Sequence, residues 1–138
     1  MKVCSKCQTP KEEDAFSIRG ESKQSYCRMC QSEHHSEHYQ KNKGLYAQKK
    51  KDRRAALRDF VKSLKEQQGY LCVDCGQVHP TWRLDFDHRP GEVKTLEVSK
   101  MPTAGLSTQR ILDEVAKCDL VCANCHRDRT HFRKLPSN

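Results

Sequence analysis

Apolar residues are scarce in this chain. They make up 35% of 138 residues, nine of them are cysteines, and aromatics account for only 7%. What remains is too little to fill an ordinary core along the whole length. A large enzyme with a deep apolar pocket is therefore disfavoured. No apolar run approaches the ~18 residues that a membrane span needs. Met1-Lys2-Val3-Cys4 opens on no apolar stretch, so a secretory signal is not expected and an intracellular location is. Thiols stay reduced there, and an odd number of cysteines suits a disulfide framework poorly. What the chain does have is charge and sulfur. The formal net charge is +8 and the pI about 9.1, which points to a polyanionic partner, nucleic acid or an acidic membrane surface; the partner expected is DNA, with no membrane and no small-molecule substrate.

Eight of the cysteines form four C-x2-C pairs: Cys4/Cys7, Cys27/Cys30, Cys72/Cys75 and Cys122/Cys125. A two-residue gap lets two thiolates converge on one tetrahedral ion. The 19 residues between Cys7 and Cys27 match the spacing of a four-cysteine zinc site. The 46 between Cys75 and Cys122 form a longer loop that must hold structure of its own. Two structural Zn2+ ions are expected, one on Cys4, Cys7, Cys27 and Cys30, the other on Cys72, Cys75, Cys122 and Cys125. Cys118 falls outside this pattern and reads as a buried thiol, although it could replace Cys122. Each site couples ~10–16 kcal/mol of apparent binding free energy to folding. Zinc thus compensates for the missing core.

The expected fold is small α+β and metal-stabilised, in three parts: a Cys4 zinc-knuckle module over 1–30, a basic helical linker over 31–68, and a second zinc-bearing module over 69–138. Phe16 and Ile18 alternate with polar neighbours as in a short strand, followed by a turn at Gly20. Residues 31–68 lack proline and read as helix, in one piece or two broken near Gly44, ending at Gly69. Leu57, Phe60, Val61 and Leu64 form one stripe of a 3.6-residue period. Ten basic residues and two acidic ones lie between Lys41 and Lys65, so this segment alone carries +8. Lys49, Lys50, Lys51, Arg53, Arg54 and Arg58 are the residues expected to lie along phosphates. In the second module, Trp82 to His88 alternates as a strand, with Trp82 and Phe86 read as packing residues. Residues 91–106 read as loop, Ser107 as the cap of a helix through Ala116, and 119–121 as a strand. A basic helix follows Cys125 and stops at Pro136. His34, His35 and His38 read as part of a charged helix surface, and Asp85 as solvent-facing.

Cys72-x2-Cys75, Leu84-Asp85-Phe86-Asp87-His88 and Lys117-Cys118-Asp119-Leu120-Val121-Cys122-Ala123-Asn124-Cys125-His126-Arg127 together resemble the HNH endonuclease family, with its zinc-stabilised ββα-metal fold. The resemblance covers roughly residues 70–133, and the N-terminal knuckles resemble the front of small phage and prophage members. It implies a metal-dependent endonuclease acting on DNA and leaving 3′-hydroxyl and 5′-phosphate ends. His88 would be the general base. Asp87 and His126 would hold one catalytic divalent cation, Mg2+ or Mn2+ first, Ni2+ or Zn2+ as alternatives. Arg127, Arg129 and Arg133 would clamp flanking phosphates. The family's middle asparagine is not matched; Lys117, Cys118 and Asp119 occupy its neighbourhood, and Asp119 or a backbone carbonyl could serve. Acting as a monomer, such a protein would nick; cutting both strands would take two copies. The alternative is a non-catalytic zinc-dependent DNA-binding protein.

Overall fold

A computed structural model describes residues 1–135; the stop expected at Pro136 lies outside them. The chain divides into two compact units, Met1–Lys49 and Lys50–Asn138.

In the first unit, β1 (Lys2–Val3) pairs antiparallel with β2 (Pro10–Lys11) across the Cys4/Cys7 knuckle. The knuckle turn is closed by the Gln8 N–H donating to the Cys4 carbonyl at 2.8 Å, with Gln8 in the left-handed region at φ 55°. A one-turn 3-10 helix (Glu13–Ala15) leads into β3 (Phe16–Arg19), which pairs with β4 (Ser22–Cys27). The hairpin turns at Gly20, whose φ of 64° only a residue without Cβ adopts cheaply. Helix α1 (Arg28–Gln67) starts immediately after Cys27 and carries Cys30 in its first turn. The small core is Cys4, Phe16, Cys27 and Cys30, so sulfur supplies three of its four side chains.

Helix α1 runs its 40 residues without interruption, so Gly44 does not divide it. A lone glycine costs ~1 kcal/mol relative to alanine, too little to break a ladder flanked on both sides by good helix formers. Termination follows the expected route. Gly69 is left-handed at φ 65°, and the Tyr70 N–H reaches back to the Lys65 carbonyl at 3.1 Å.

In the second unit the Leu57, Val61 and Leu64 stripe of α1 is buried, with Phe60 packed against its edge. The Cys72/Cys75 knuckle repeats the first one: the Gly76 N–H donates to the Cys72 carbonyl at 2.9 Å, with Gly76 at φ 67°. A 3-10 turn (Thr81–Arg83) precedes β5 (Leu84–His88). Strand β5 pairs antiparallel with β6 (Cys118–Cys122), with Leu84 opposite Cys122 and His88 opposite Cys118. Helix α4 (Ala123–Phe132) then begins directly after Cys122 and holds Cys125 in its first turn. The order knuckle, 3-10 turn, strand, strand, cysteine, helix is therefore the same in both units.

Three expectations are corrected here. The stretch 91–106 is not all loop. It contains a 3-10 turn (Val98–Lys100) and a short helix, α2 (Met101–Ala104), and it buries Val98 and Met101. Pro102 and the short length hid the helix from periodicity. The strand starts at Leu84 rather than Trp82, because residues 81–83 wind into the 3-10 turn. Trp82 consequently faces solvent, 82% exposed, and is not a packing residue, whereas Phe86 is buried as expected. Helix α3 (Thr108–Val115) is capped as expected, the Ser107 hydroxyl accepting from the Arg110 N–H. Cys118 is buried in the core, and its Sγ donates to the Glu114 carbonyl.

Candidate metal and catalytic site

The four sulfurs of Cys4, Cys7, Cys27 and Cys30 lie within 4.8 Å of one another, as do those of Cys72, Cys75, Cys122 and Cys125. Among the described residues these are the clusters with metal-ligand geometry; His34, His35 and His38 stay on the exposed face of α1. In each cluster the first sulfur is prepared as an anion. The Cys27 N–H donates to Cys4 Sγ and the Cys122 N–H to Cys72 Sγ, both at 3.2 Å. The N–H groups of Cys7 and Cys27 draw the Cys4 thiol down to about 6. Burial alone would raise the Cys72 thiol, but the N–H groups of Cys75, Cys122 and Asp74 outweigh it and bring it to about 6. A tetrahedral S4 set with oriented N–H donors fits zinc. His79 adds a contact that the sequence did not suggest, its Nε2 lying 3.5 Å from Cys75 Sγ. Cys118, in contrast, is pushed up to about 11, by burial first and by the nearby Glu114 charge next, and stays a thiol. The chain is a small zinc-binding protein of α+β fold with a ββα-like C-terminal hairpin and helix.

Beside the second cluster, β5 and the first turn of α4 face a cleft of about 350 Å3 lined by Asp85, Asp87, His88 and His126. The zinc frame explains the meeting. Leu84 pairs with Cys122 at one end of the hairpin, and Cys125 fixes the helix start, so His126 is carried over β5. His126 Nδ1 lies 3.1 Å from Asp85 Oδ2, and His126 Nε2 lies 3.5 Å from Asp87 Oδ1. Asp85, whose side chain remains 47% exposed as expected of a solvent-facing residue, also reaches His126. An ionised carboxylate only accepts, so with a neutral ring Asp85 places the proton on Nδ1 and leaves the Nε2 lone pair facing Asp87. Two lone-pair atoms at this separation suit one shared cation, since two ligands bound at ~2.1 Å stand ~3–3.5 Å apart.

Asp87 is only 6% exposed. Arg133 grips both its oxygens, Nη1 to Oδ1 at 2.9 Å and Nη2 to Oδ2 at 2.7 Å, and Arg129 Nη1 adds a bond to Oδ2 at 3.2 Å. Burial would raise this carboxyl, but the two guanidinium groups hold it below the usual carboxylate range. Arg129 also pairs with Asp74 and Asp119. Arg129 and Arg133, read from sequence as phosphate clamps, are thus turned onto carboxylates. Arg127 instead lies on the surface of α4 and donates to Asn124. Asp119, opposite Asp87 in the ladder, engages Arg89 and Arg129.

His88 has a partner that sequence reasoning missed. Its Nε2 lies 2.7 Å from Glu114 Oε1, and Glu114 is 2% exposed. The same carboxylate accepts from the Thr95 N–H at 2.7 Å and from Lys117 Nζ at 2.9 Å. Burial opposes its charge, but Lys117, the Thr95 N–H and His88 more than compensate and bring it to about 2. An ionised Glu114 requires Nε2 to be the protonated ring atom, which leaves Nδ1 as the basic one. The one signal available in the sequence was a lone acidic residue on the apolar side of α3, beside Ile111 and Val115. No known family model, curated protein or solved structure matches this chain. No helix among the described residues is long and apolar enough to cross a membrane.

Proposed function

We propose that the second unit is a metal-dependent endonuclease that hydrolyses DNA phosphodiester bonds. The observation that carries this reading is the meeting of Asp87, His88 and His126 in one cleft, with the His126 and Asp87 donor atoms 3.5 Å apart. A zinc protein that only binds DNA has no use for such a set. Asp87 and His126 would hold a divalent cation, which when bound neutralises charge developing on the phosphate and the leaving oxygen. Asp85 orients His126 for that task, and Arg129 and Arg133 keep Asp87 ionised. Glu114 fixes the His88 ring with Nδ1 as its base, and a neutral imidazole takes a proton from water near pH 7. The resulting hydroxide attacks phosphorus, the bond from phosphorus to the 3′ oxygen breaks, and that oxygen leaves protonated by solvent. The basic residues of α1, from Lys49 through Arg58, hold the DNA backbone through charge.

The test is conversion of supercoiled plasmid to the nicked form by the zinc-loaded protein, with and without added Mg2+ or Mn2+. Nicking is expected only with the added cation, and His88→Ala is expected to lose it while keeping its zinc content. If His88→Ala nicks as fast as the natural chain, the assignment is wrong.

A further inference from the structure

Trp82 is 82% exposed, although tryptophan is the most costly side chain to leave in water. It is also the sole tryptophan of the chain. Its mounting is rigid. It sits at the centre of the Thr81–Arg83 turn, where the Arg83 N–H donates to the Pro80 carbonyl at 2.9 Å. Lys65 Nζ, half-buried and reaching across from α1, donates to the carbonyls of Thr81 at 3.2 Å and Leu84 at 2.6 Å, on either side of the indole. The ring is therefore displayed at low entropic cost, as a contact residue must be.

Two neighbours indicate what the ring meets. A cleft of about 380 Å3 lies between Trp82, Arg58 and Lys62. Among the described residues no carboxylate pairs with either of these cations. Val61 and Lys65 line this cleft and also the one holding Asp87 and His88, so the two are neighbours. The zinc frame itself does not call for an aromatic residue here. The matching 3-10 turn of the first unit, Glu13–Ala15, carries Asp14 at its centre. An exposed indole flanked by two cations is the arrangement that stacks a nucleobase while gripping its backbone. In a fully paired duplex the base faces are covered, so the ring finds its partner only where a base is unpaired.

We infer that Trp82, with Arg58 and Lys62, forms a base-stacking site for an unpaired nucleotide of DNA next to the cleft of Asp87 and His88. This rests on the endonuclease reading and extends it to a substrate class: DNA carrying unpaired bases close to the cut. Lys65 is a positioning residue that holds the turn.

The natural single tryptophan makes the test direct. The zinc-loaded full chain is titrated, without added divalent cation, with a labelled thymidine oligonucleotide and with a fully paired duplex of equal length. Binding is followed by anisotropy of the label and stacking by tryptophan emission. Emission is expected to fall as the single strand binds and to change little with the duplex. Trp82→Ala is expected to weaken single-strand binding about tenfold, within the range for loss of one stacked base, and Trp82→Tyr to restore most of it. Being exposed, the site tolerates both changes without unfolding. Unchanged emission while anisotropy reports a bound single strand would overturn the inference, and so would equal affinity of Trp82→Ala and the natural chain. The nicking test on His88 stands apart: its failure removes the catalytic reading, whereas failure here removes only the stacking site.

Discussion

Replacing Glu114 by glutamine keeps the shape of the side chain and removes its charge. The expected cost follows from the environment of that charge. Glu114 is held at about 2, against an ordinary value of 4.5. At ~1.4 kcal/mol per pH unit, folding favours the ionised form over the neutral one by about 3 kcal/mol more than the unfolded chain does. Glutamine stands in for the neutral form. It still accepts from the Thr95 N–H, but it must set an amide nitrogen against Lys117 or His88. A loss of about 2–3 kcal/mol is expected, a large fraction of a small domain's ~5–15 kcal/mol. The sign of the pH dependence is fixed as well. The folded value lies below the unfolded one, so the contribution is complete above about pH 4.5 and fades as the pH falls toward about 2. Glu114's own titration adds no slope to the difference between pH 6 and 8. Urea unfolding of both zinc-loaded proteins, followed by far-UV circular dichroism at pH 6, 7 and 8, measures it. Nicking by the variant should fall at least about tenfold, since His88 loses the anion that fixes its tautomer. A stability loss below about 1 kcal/mol, or undiminished nicking, would refute the account of Glu114.

Further outcomes follow from the same geometry. Elemental analysis should give two zinc ions per chain, one for Cys72→Ser and still two for Cys118→Ser. Because zinc contributes ~10–16 kcal/mol to such a module, Cys72→Ser should also lose the circular dichroism of the second unit. Asp85→Asn should weaken Mn2+ binding about 10- to 100-fold by calorimetry, as loss of an outer-shell carboxylate does, and an unchanged affinity would contradict its role behind His126. Replacing Lys49, Lys50 and Lys51 by glutamine should weaken binding to duplexes of any sequence. It should also flatten the plot of log affinity against log salt by about one for each phosphate that is no longer neutralised.

Much of this molecule was legible because its chemistry is concentrated in residues with strict spacing. The C-x2-C pairs located both zinc clusters, and the stripe Leu57, Phe60, Val61 and Leu64 located the buried face of α1. The placing of His126 beside Asp87 could be read because Cys125 pins the helix start. What could not be read depended on the long connection between β5 and β6. Val98 and Met101 enter the core from a stretch with no periodic pattern, and Glu114 meets His88 only through that fold-back. The carboxylate partners of Arg129 and Arg133 were hidden for a related reason. A basic helix opposite an unseen set of carboxylates looks the same in sequence as one facing phosphate. Trp82 shows the limit of alternation, since one 3-10 turn was enough to rotate it from the expected core to solvent.

The repeated frame of the two units has a consequence of its own. In the first, β3 and β4 are joined across Gly20 and Glu21 alone. In the second, the same junction is opened to admit residues 89–117, including α2, α3 and Glu114. Lengthening a loop raises its closure cost only logarithmically, and four sulfurs on one ion hold the hairpin ends whatever lies at the tip. The hairpin tip is therefore a port at which sequence can be exchanged without disturbing the metal frame. A chimera that moves residues 89–117 to the Gly20-Glu21 tip would build on a frame this protein already uses twice.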